Sequence, residues 1–414
     1  MRIAVWHNLP SGGGKRALHH QLRGLIERGH QIEIWCPSSS DSSYLPLGSL
    51  AVEHAIPFNS QPQQAGGRVR QIWVDRQNAT SRMQAMESVC RRCADEINRG
   101  GFNLLFANSC FMYAAPFITR YSGLPTALYL QEPHRAYYEA NPRLPWVAEP
   151  RQKGASLRWR LFAFARDATR LGILRRQARE EWINASKADV MLVNSYYSRE
   201  TMRRVYAVDA EVCYLGVDTI LFRPGNSPRE RFIAGLGSFF PNKGIEFALD
   251  AVARLAAPRP KLVWIGNSGD QRYIQELAMR ATKLGVQLDV QFRVTDSTVV
   301  DILNRAALLL YTPYLEPFGL APLEANACAT PVVAVPEGGV RETVHDGVNG
   351  LLADRDPQAA AVAMGRLLDD SELARTLGDN GRRYVEREWT WSLAVDRLEA
   401  RFRRLSASPR TRCA

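Results

Sequence analysis

No stretch of about 18 consecutive apolar residues occurs in this 414-residue chain, so a membrane-spanning helix is not expected. Cysteine is sparse and odd in number. The seven are scattered, and Cys90-Arg-Arg-Cys93 lacks the second pair that a structural zinc site needs, so a reducing compartment fits best. The opening Met-Arg-Ile-Ala-Val-Trp reads as a short strand rather than a signal peptide, because Pro10-Ser-Gly-Gly-Gly follows it abruptly. The expected location is therefore cytoplasmic, with peripheral attachment to the cytoplasmic membrane face as the variant. A nucleotide P-loop is missing too: Leu9 stands where that pattern has its first glycine, and Arg16 replaces the Ser/Thr that would hold magnesium. No Asp-x-Asp metal clamp stands out after a strand. No recognised nucleic-acid-binding module accompanies the positive charge, so nucleic acid is not an expected partner.

What the chain does have is positive charge, apolar mass and a repeating pattern. A formal charge of +11 favours anionic partners such as phosphates or acidic lipid surfaces, and 46% hydrophobic residues can build a large core. Length makes two domains more probable than one. Short apolar runs bounded by turn residues fall at 3–6, 32–36, 104–107, 126–130, 190–193 and 212–215, and again at 232–236, 261–265, 286–292, 308–311 and 331–335. Helical patterns separate them, which argues for two parallel α/β sheets. The Pro/Gly/Ser-rich, charged stretch at 223–231 reads as a linker. Open α/β sheets bind ligands outside the carboxyl ends of their strands, so a cleft between the two sheets is the expected site.

Three segments carry chemistry. Glu316-Pro-Phe-Gly-Leu-Ala-Pro-Leu-Glu324 places a carboxylate at a loop mouth and a second about two helical turns on, with a Gly-Leu helix start between them. Unpaired N–H groups at such a start can meet a phosphate or hydroxyl oxygen, while the carboxylates accept from ring hydroxyls. Gly12-Gly13-Gly14 follows the first strand and opens a helix expected to run to Arg28; its bland reading is a flexible turn. Lys243, at the entry to a helix after Gly235-Leu-Gly237, is placed to neutralise a diphosphate without a metal; its bland reading is a solvated surface lysine.

With Asn194-Ser195, Gly216-Val217-Asp218, Gly338-Gly339 and Asp346-Gly347, these segments have an order that resembles the retaining nucleotide-sugar glycosyltransferases of family 4 over nearly the whole chain. The resemblance implies the GT-B fold, two Rossmann-like α/β domains facing a cleft. It implies an acceptor-side domain at 1–218, with a basic helical segment at 135–190, completed by a crossing helix at 389–408, and a donor domain at 219–388. It implies transfer of a hexosyl unit from a UDP- or GDP-sugar to a glycan or lipid-linked acceptor, as in polysaccharide biosynthesis, with no metal and no other cofactor. Glu316, Lys243 and the position of Gln131 would be catalytic. Glu316, with the amides of Phe318, Gly319 and Leu320, would hold the hexose, Glu324 the ribose, Lys243 and the amides of Gly13 and Gly14 the diphosphate, and Arg293 and Val294 would flank the base.

Three positions depart from the family pattern. Ser238 stands where an arginine is usual, leaving Lys15 or Arg16 to compensate, and Gln131 stands where a histidine is usual, with His134 and Arg135 next in line on the acceptor side. Ala329 replaces the customary glycine before Thr-Pro. The alternative reading is a donor-binding homologue with weak or lost transfer, acting as a non-catalytic partner subunit. The arginine-rich segment with interleaved Leu157, Trp159, Leu161, Phe162 and Phe164 suggests contact with an anionic membrane through 151–179, against an ordinary packed surface helix as the alternative. In the last helix Trp391, Val395, Leu398 and Phe402 share a face and are expected to pack, with the basic tail after Leu405 disordered.

Overall fold

The computed structural model describes residues 1–64, 66–138 and 156–407; residues 151–155 of the expected membrane segment at 151–179, and residues 408–414 of the tail expected after Leu405, lie outside the described residues. The chain forms two compact units. The first holds residues 1–193, 199–212 and those from Leu398 on, and the second holds 194–198 and 213–397, so the junction expected after Asp218 falls inside the second unit.

In the first unit the described strands are β1 (Arg2–Asn8), β2 (Gln31–Pro37), β3 (Val52–Ile56), β4 (Leu104–Cys110), β5 (Thr126–Tyr129), β6 (Val190–Val193) and β7 (Glu211–Val212). They form one parallel sheet in the order β3-β2-β1-β4-β5-β6-β7. Interior parallel strands are covered on both faces, which is why Ile3, Ala4, Val5 and Trp6 are all fully buried without alternation. Helix α1 (Gly13–Glu27) begins at Gly12, whose φ of 146° and ψ of −165° only glycine adopts readily, and Gly29 follows it at φ 82°. Helix α2 (Arg68–Arg99) lays Met83, Met86, Cys90, Cys93, Ala94 and Ile97 into the core. The Cys90/Cys93 pair is thus one apolar helix face, and burial pushes the Cys93 thiol up to about 12. Helix α3 (Leu157–Ala185) is capped by the Ser156 hydroxyl, which accepts from Trp159 N.

The second unit repeats the plan with β8 (Glu230–Leu236), β9 (Lys261–Gly266), β10 (Leu288–Phe292), β11 (Ala306–Tyr311), β12 (Val332–Ala334) and β13 (Gly350–Leu352). The order is β10-β9-β8-β11-β12-β13, again parallel. Helix α4 (Leu320–Ala327) follows β11. The stretch read as a linker is not one at its end. Glu230 and Arg231 begin β8, and the Arg229 guanidinium donates to the carbonyls of Leu303, Asn304, Ala306, Cys328 and Ala329. Five fixed donors on one planar group can satisfy a helix end and a turn together, and that outweighs the turn-like composition around it.

Helix α5 (Trp391–Ala407) has its first turns in the second unit and the rest in the first. Leu398 and Phe402 are fully buried, the Phe402 ring meets Phe106 at 5.0 Å, and Glu399 lies 3.0 Å from His30 Nε2, while Trp391 is only half-buried.

Ala329 sits at φ 53°, in the left-handed region that glycine adopts most readily. A side chain there is strained by roughly 1–2 kcal/mol, offset in part by the extra chain entropy that glycine loses on folding. Ala329→Gly should therefore stabilise the second unit by about 0.5–1 kcal/mol in urea unfolding. A destabilised variant would contradict the strain.

Candidate functional site

In each unit the strand order reverses once, between β1 and β4 and between β8 and β11. Loops leaving the two reversing strands diverge and open a crevice, the usual place for a ligand in such sheets. In the second unit these are the loops carrying Lys243 and Glu316.

Lys243 ends a short 3-10 turn, Pro241–Lys243, and the next residue, Gly244, is left-handed at φ 67°. A Cβ on Gly244 would stand 2.3 Å from the Thr312 carbonyl oxygen. That contact lets the Thr312 hydroxyl donate to the carbonyls of Lys243 (3.0 Å) and Gly244 (3.1 Å), while Tyr314 N donates to Asn242 O (2.9 Å). The lysine stem then runs over Gly237, and its Nζ reaches Glu316 Oε2 at 2.7 Å, with each side chain about a fifth exposed (19% and 18%).

The Glu316 loop is held from three sides. Ideal Cβ atoms on Gly338 and Gly339 would meet the carbonyl oxygens of Glu316 and Pro317, each at 2.2 Å, and Gly339 N donates to Glu316 O at 2.8 Å. The Ser195 hydroxyl donates to Pro317 O at 2.5 Å. Behind it Arg355 pairs with Glu337 (2.5 Å), donates to the Thr312 and Pro313 carbonyls, and lies over the Tyr314 ring at 3.8 Å. Gly319, at φ 104°, then turns the chain into α4, and Phe318 is buried against Trp389 at 5.4 Å. Glu324 is almost fully buried one turn into α4. The two carboxylates are thus separated by a loop and one helical turn, not by the two turns expected from spacing, because 316–319 is not helical. The remaining expected residues lie on loops of the same sheet edge. Ser238 follows β8, and Arg293 and Val294 follow β10, Arg293 at φ 55° with its N bonded to Gly266 O (2.9 Å).

In the first unit Gly13 and Gly14 are the first two residues of α1, and a Cβ on Gly14 would lie 3.6 Å from the Gln131 amide. The structure thus brings the glycine loop and Gln131 together. Lys15 and Arg16, the expected compensating cations, are engaged elsewhere: buried Lys15 donates to Asp41 O (2.7 Å) and Arg16 to the Tyr44 hydroxyl (2.8 Å). Hydrogen bonds from Ser11 and Ser43 hold the Asp41 carboxyl well below its usual range. His134 stacks on Tyr137 at 4.1 Å, its Nδ1 has no partner, and burial lowers its basicity. Arg135 pairs with Glu132 at 3.8 Å. Beside them Glu181, fully buried on α3, accepts from Tyr206 OH (2.9 Å), and burial pushes its carboxyl up to about 7.

Among the described residues one trio of metal-ligating atoms converges, His7, Cys36 and Glu53, within 4.8 Å of one another. Leu9 N donates to His7 Nδ1 (3.4 Å), which leaves Nε2 as the protonated nitrogen facing Glu53 (3.4 Å). With the Lys15 ammonium close enough to act on both His7 and Glu53, the trio is a hydrogen-bonded charge network. An Asp-x-Asp does follow a strand: Asp354-Arg355-Asp356 comes after β13, a strand too short for the sequence to announce. Asp356 serves as a helix cap, accepting from Ala359 N at 3.1 Å.

Ser195, Arg355 and the buried Glu181 were not singled out as functional by sequence reasoning. Ser195 had a signal in its Asn-Ser motif, and Glu337 in the Gly-Gly that follows it; Arg355 had none.

Two parallel α/β units of this kind define the GT-B fold. Over 99% of this chain and 100% of the other, the structure is similar to sucrose-phosphate synthase from Thermosynechococcus elongatus, with a TM-score of 0.67 at 22% identity. It is also similar to the Anabaena protein HepE in complex with UDP and glucose, with a TM-score of 0.67 at 18% identity over 98% of this chain and 100% of that one. Residues 217–384 match the family described as "Glycosyl transferases group 1". A D-inositol 3-phosphate glycosyltransferase from Acidothermus cellulolyticus is 32% identical over 251 residues, 54% of this chain and 55% of that protein. The chain thus spans about half the length of the curated relatives it matches.

The glycine seat is testable without a ligand. Gly339 has an ordinary backbone angle, so Gly339→Ala adds only a steric clash, expected to destabilise by about 1–3 kcal/mol in urea unfolding. Gly365→Ala, in a helix with open space around it, should be neutral or stabilising. Equal behaviour of the two variants would mean that the Glu316 loop yields freely.

Proposed function

We propose that this chain is a retaining glycosyltransferase of the family 4 type, moving a hexosyl unit from a UDP- or GDP-sugar to a glycan or lipid-linked acceptor without a metal. The observation that carries the reading is the Lys243–Glu316 pair at the strand-order reversal of the second unit, inside the segment matching the glycosyltransferase family. The named activity of the Acidothermus relative and the UDP and glucose held by the Anabaena protein agree with it.

The chemistry follows from charge. As the glycosidic bond breaks, negative charge grows on the diphosphate, and groups that bind it more tightly at that moment lower the barrier. An ammonium has three donors, so Lys243 can keep one on Glu316 and turn the others to phosphate oxygens. Glu316 accepts from sugar hydroxyls, with the amides of Phe318, Gly319 and Leu320 beside it, and Glu324 accepts from the ribose. The amides of Gly13 and Gly14, at the start of α1, are proposed as diphosphate donors, and Arg293 and Val294 as the residues that flank the base. Retention follows if the leaving phosphate takes the acceptor's proton on the face it departs from, which requires no protein nucleophile.

The acceptor is proposed to reside at an anionic membrane on the cytoplasmic side. No helix among the described residues is long and apolar enough to cross a membrane. Yet Leu157 (69%), Leu161 (61%) and Phe164 (73%) of α3 are strongly exposed, and the segment 157–179 carries seven arginines against one aspartate. An apolar stripe flanked by cations suits an interfacial helix better than a packed one.

Incubation with a panel of UDP- and GDP-sugars and membrane-extract acceptors should release nucleotide. Release should fall roughly 10²–10³-fold in Lys243→Ala, be lost in Glu316→Gln, and persist in a chelator. No release from any donor sinks the transferase reading. In vesicle flotation the chain should rise with anionic but not zwitterionic liposomes, and Leu161→Ser with Phe164→Ser should abolish the rise. Indifference to lipid charge would remove the membrane partner.

A further inference from the structure

Between α2 and α3 of the first unit lies an open cavity of about 350 Å³. Arg76, Thr80 and Met83 line it from α2, and Thr169, Arg176 and Gln177 from α3, and none of its described lining residues is acidic. Its size falls in the usual range for a small-molecule site, roughly 300–1,000 Å³. Arg176 Nη1 donates to the Thr80 hydroxyl at 3.3 Å, which ties the two walls together and fixes one guanidinium at the rim. On the lining helices Asp75 accepts from Gln71 (2.7 Å) and Asp167 pairs with Arg166 (3.1 Å), and on the inner side Glu181 accepts from Tyr206.

Two further observations give the cavity a direction. On its outer side the exposed stripe of α3 continues through Leu171 (40%), and Trp73 (64%), one turn before Arg76 on α2, is exposed as well. On its inner side Gln177 accepts from the Tyr137 hydroxyl (2.5 Å), and that ring stacks on His134, in the segment assigned above to the acceptor. The Tyr113 hydroxyl is buried without a partner, close enough to Arg82 and Arg176 for both to act on its charge. An apolar rail outside, two guanidiniums at the mouth and a chain of aromatic contacts leading inward together match an amphiphile with a phosphate head.

We infer that the cavity between α2 and α3 binds the phosphate or diphosphate head of a membrane lipid acceptor, whose hydrocarbon chain leaves along Leu157, Leu161, Phe164 and Leu171. The guanidinium fork meets phosphate oxygens two at a time, and the absence of lining carboxylates leaves that attraction unopposed. The inference rests on the transferase reading only for the fate of the bound lipid; binding itself does not depend on it.

Calorimetric titration of the full chain with farnesyl phosphate, kept below its micelle concentration, tests this beside farnesol and inorganic phosphate. Farnesyl phosphate should bind at least about tenfold more tightly than either, since it makes the charged hydrogen bonds that farnesol lacks and buries the apolar chain that inorganic phosphate lacks. R76Q with R176Q should weaken it about tenfold or more while leaving UDP binding unchanged. Farnesol binding as tightly would show a merely apolar groove, inorganic phosphate binding as tightly would show a site for free phosphate, and an unaffected double variant would show that the arginines are not the contact; each overturns the inference. Loss of UDP binding with farnesyl phosphate binding intact would count against the transferase reading alone.

Discussion

The Glu316 loop can take its shape only because two residues elsewhere have no side chain. Gly338 and Gly339 sit so close that their α-carbons form the floor beneath Glu316 and Pro317, with ideal Cβ positions 2.2 Å from the loop's carbonyl oxygens. Everything that gives the second unit its chemical character stands on that floor. It sets the height of the Glu316 carboxylate against Lys243, the angle at which Gly319 enters α4, and through α4 the depth of Glu324. Ser195 and the Arg355–Glu337 pair steady the same loop from other directions, so its position is fixed by packing rather than by the charge pair it presents.

The electrostatics of the two units differ in kind. In the second, ammonium and carboxylate face each other partly exposed, and each keeps capacity for another partner. In the first, Lys15 is buried and donates inward, and burial weakens its hold on its proton against the pull of Glu53, Cys36 and Asp41. The cation nearest the glycine loop in sequence therefore stabilises the fold at 41–53. Backbone strain follows the same division. Leu315 and Arg293, both left-handed without being glycine, flank loops of the second unit's crevice, and such strain persists only where surrounding packing enforces it.

Interior strands were legible in the sequence because parallel strands buried on both faces are continuous apolar runs. Two edge strands were not: β3 reads Val-Glu-His-Ala-Ile with only its last residue buried, and β13 is three residues long, whereas the edge strand β10 was legible in its longer apolar run at 286–292. The run at 212–215 shrinks to the two-residue β7 for the same reason, having a neighbour on one side only. The residues of the candidate site were readable where a motif names them, as with Glu316, Glu324, Lys243 and the glycines. The partners that hold them in place were not, because Ser195 lies 122 residues from Pro317 and nothing local to Arg355 announces the carbonyls it reaches. Arg229 shows the limit in another way, since turn-like composition around it concealed a guanidinium bonded to five backbone carbonyls.

Helix α5 gives the first unit a dependence that its sheet does not reveal. Phe106, at the centre of β4, has its covering ring supplied by Phe402, nearly three hundred residues later, and His30 finds its carboxylate in Glu399. A ribosome delivers those partners only after residues 213–397, so the unit that begins first closes its core only after the second unit has been made. Order of synthesis and order of completion are reversed, and until the final helix arrives the β1–β4 region holds an uncovered aromatic surface that the growing chain itself must shield.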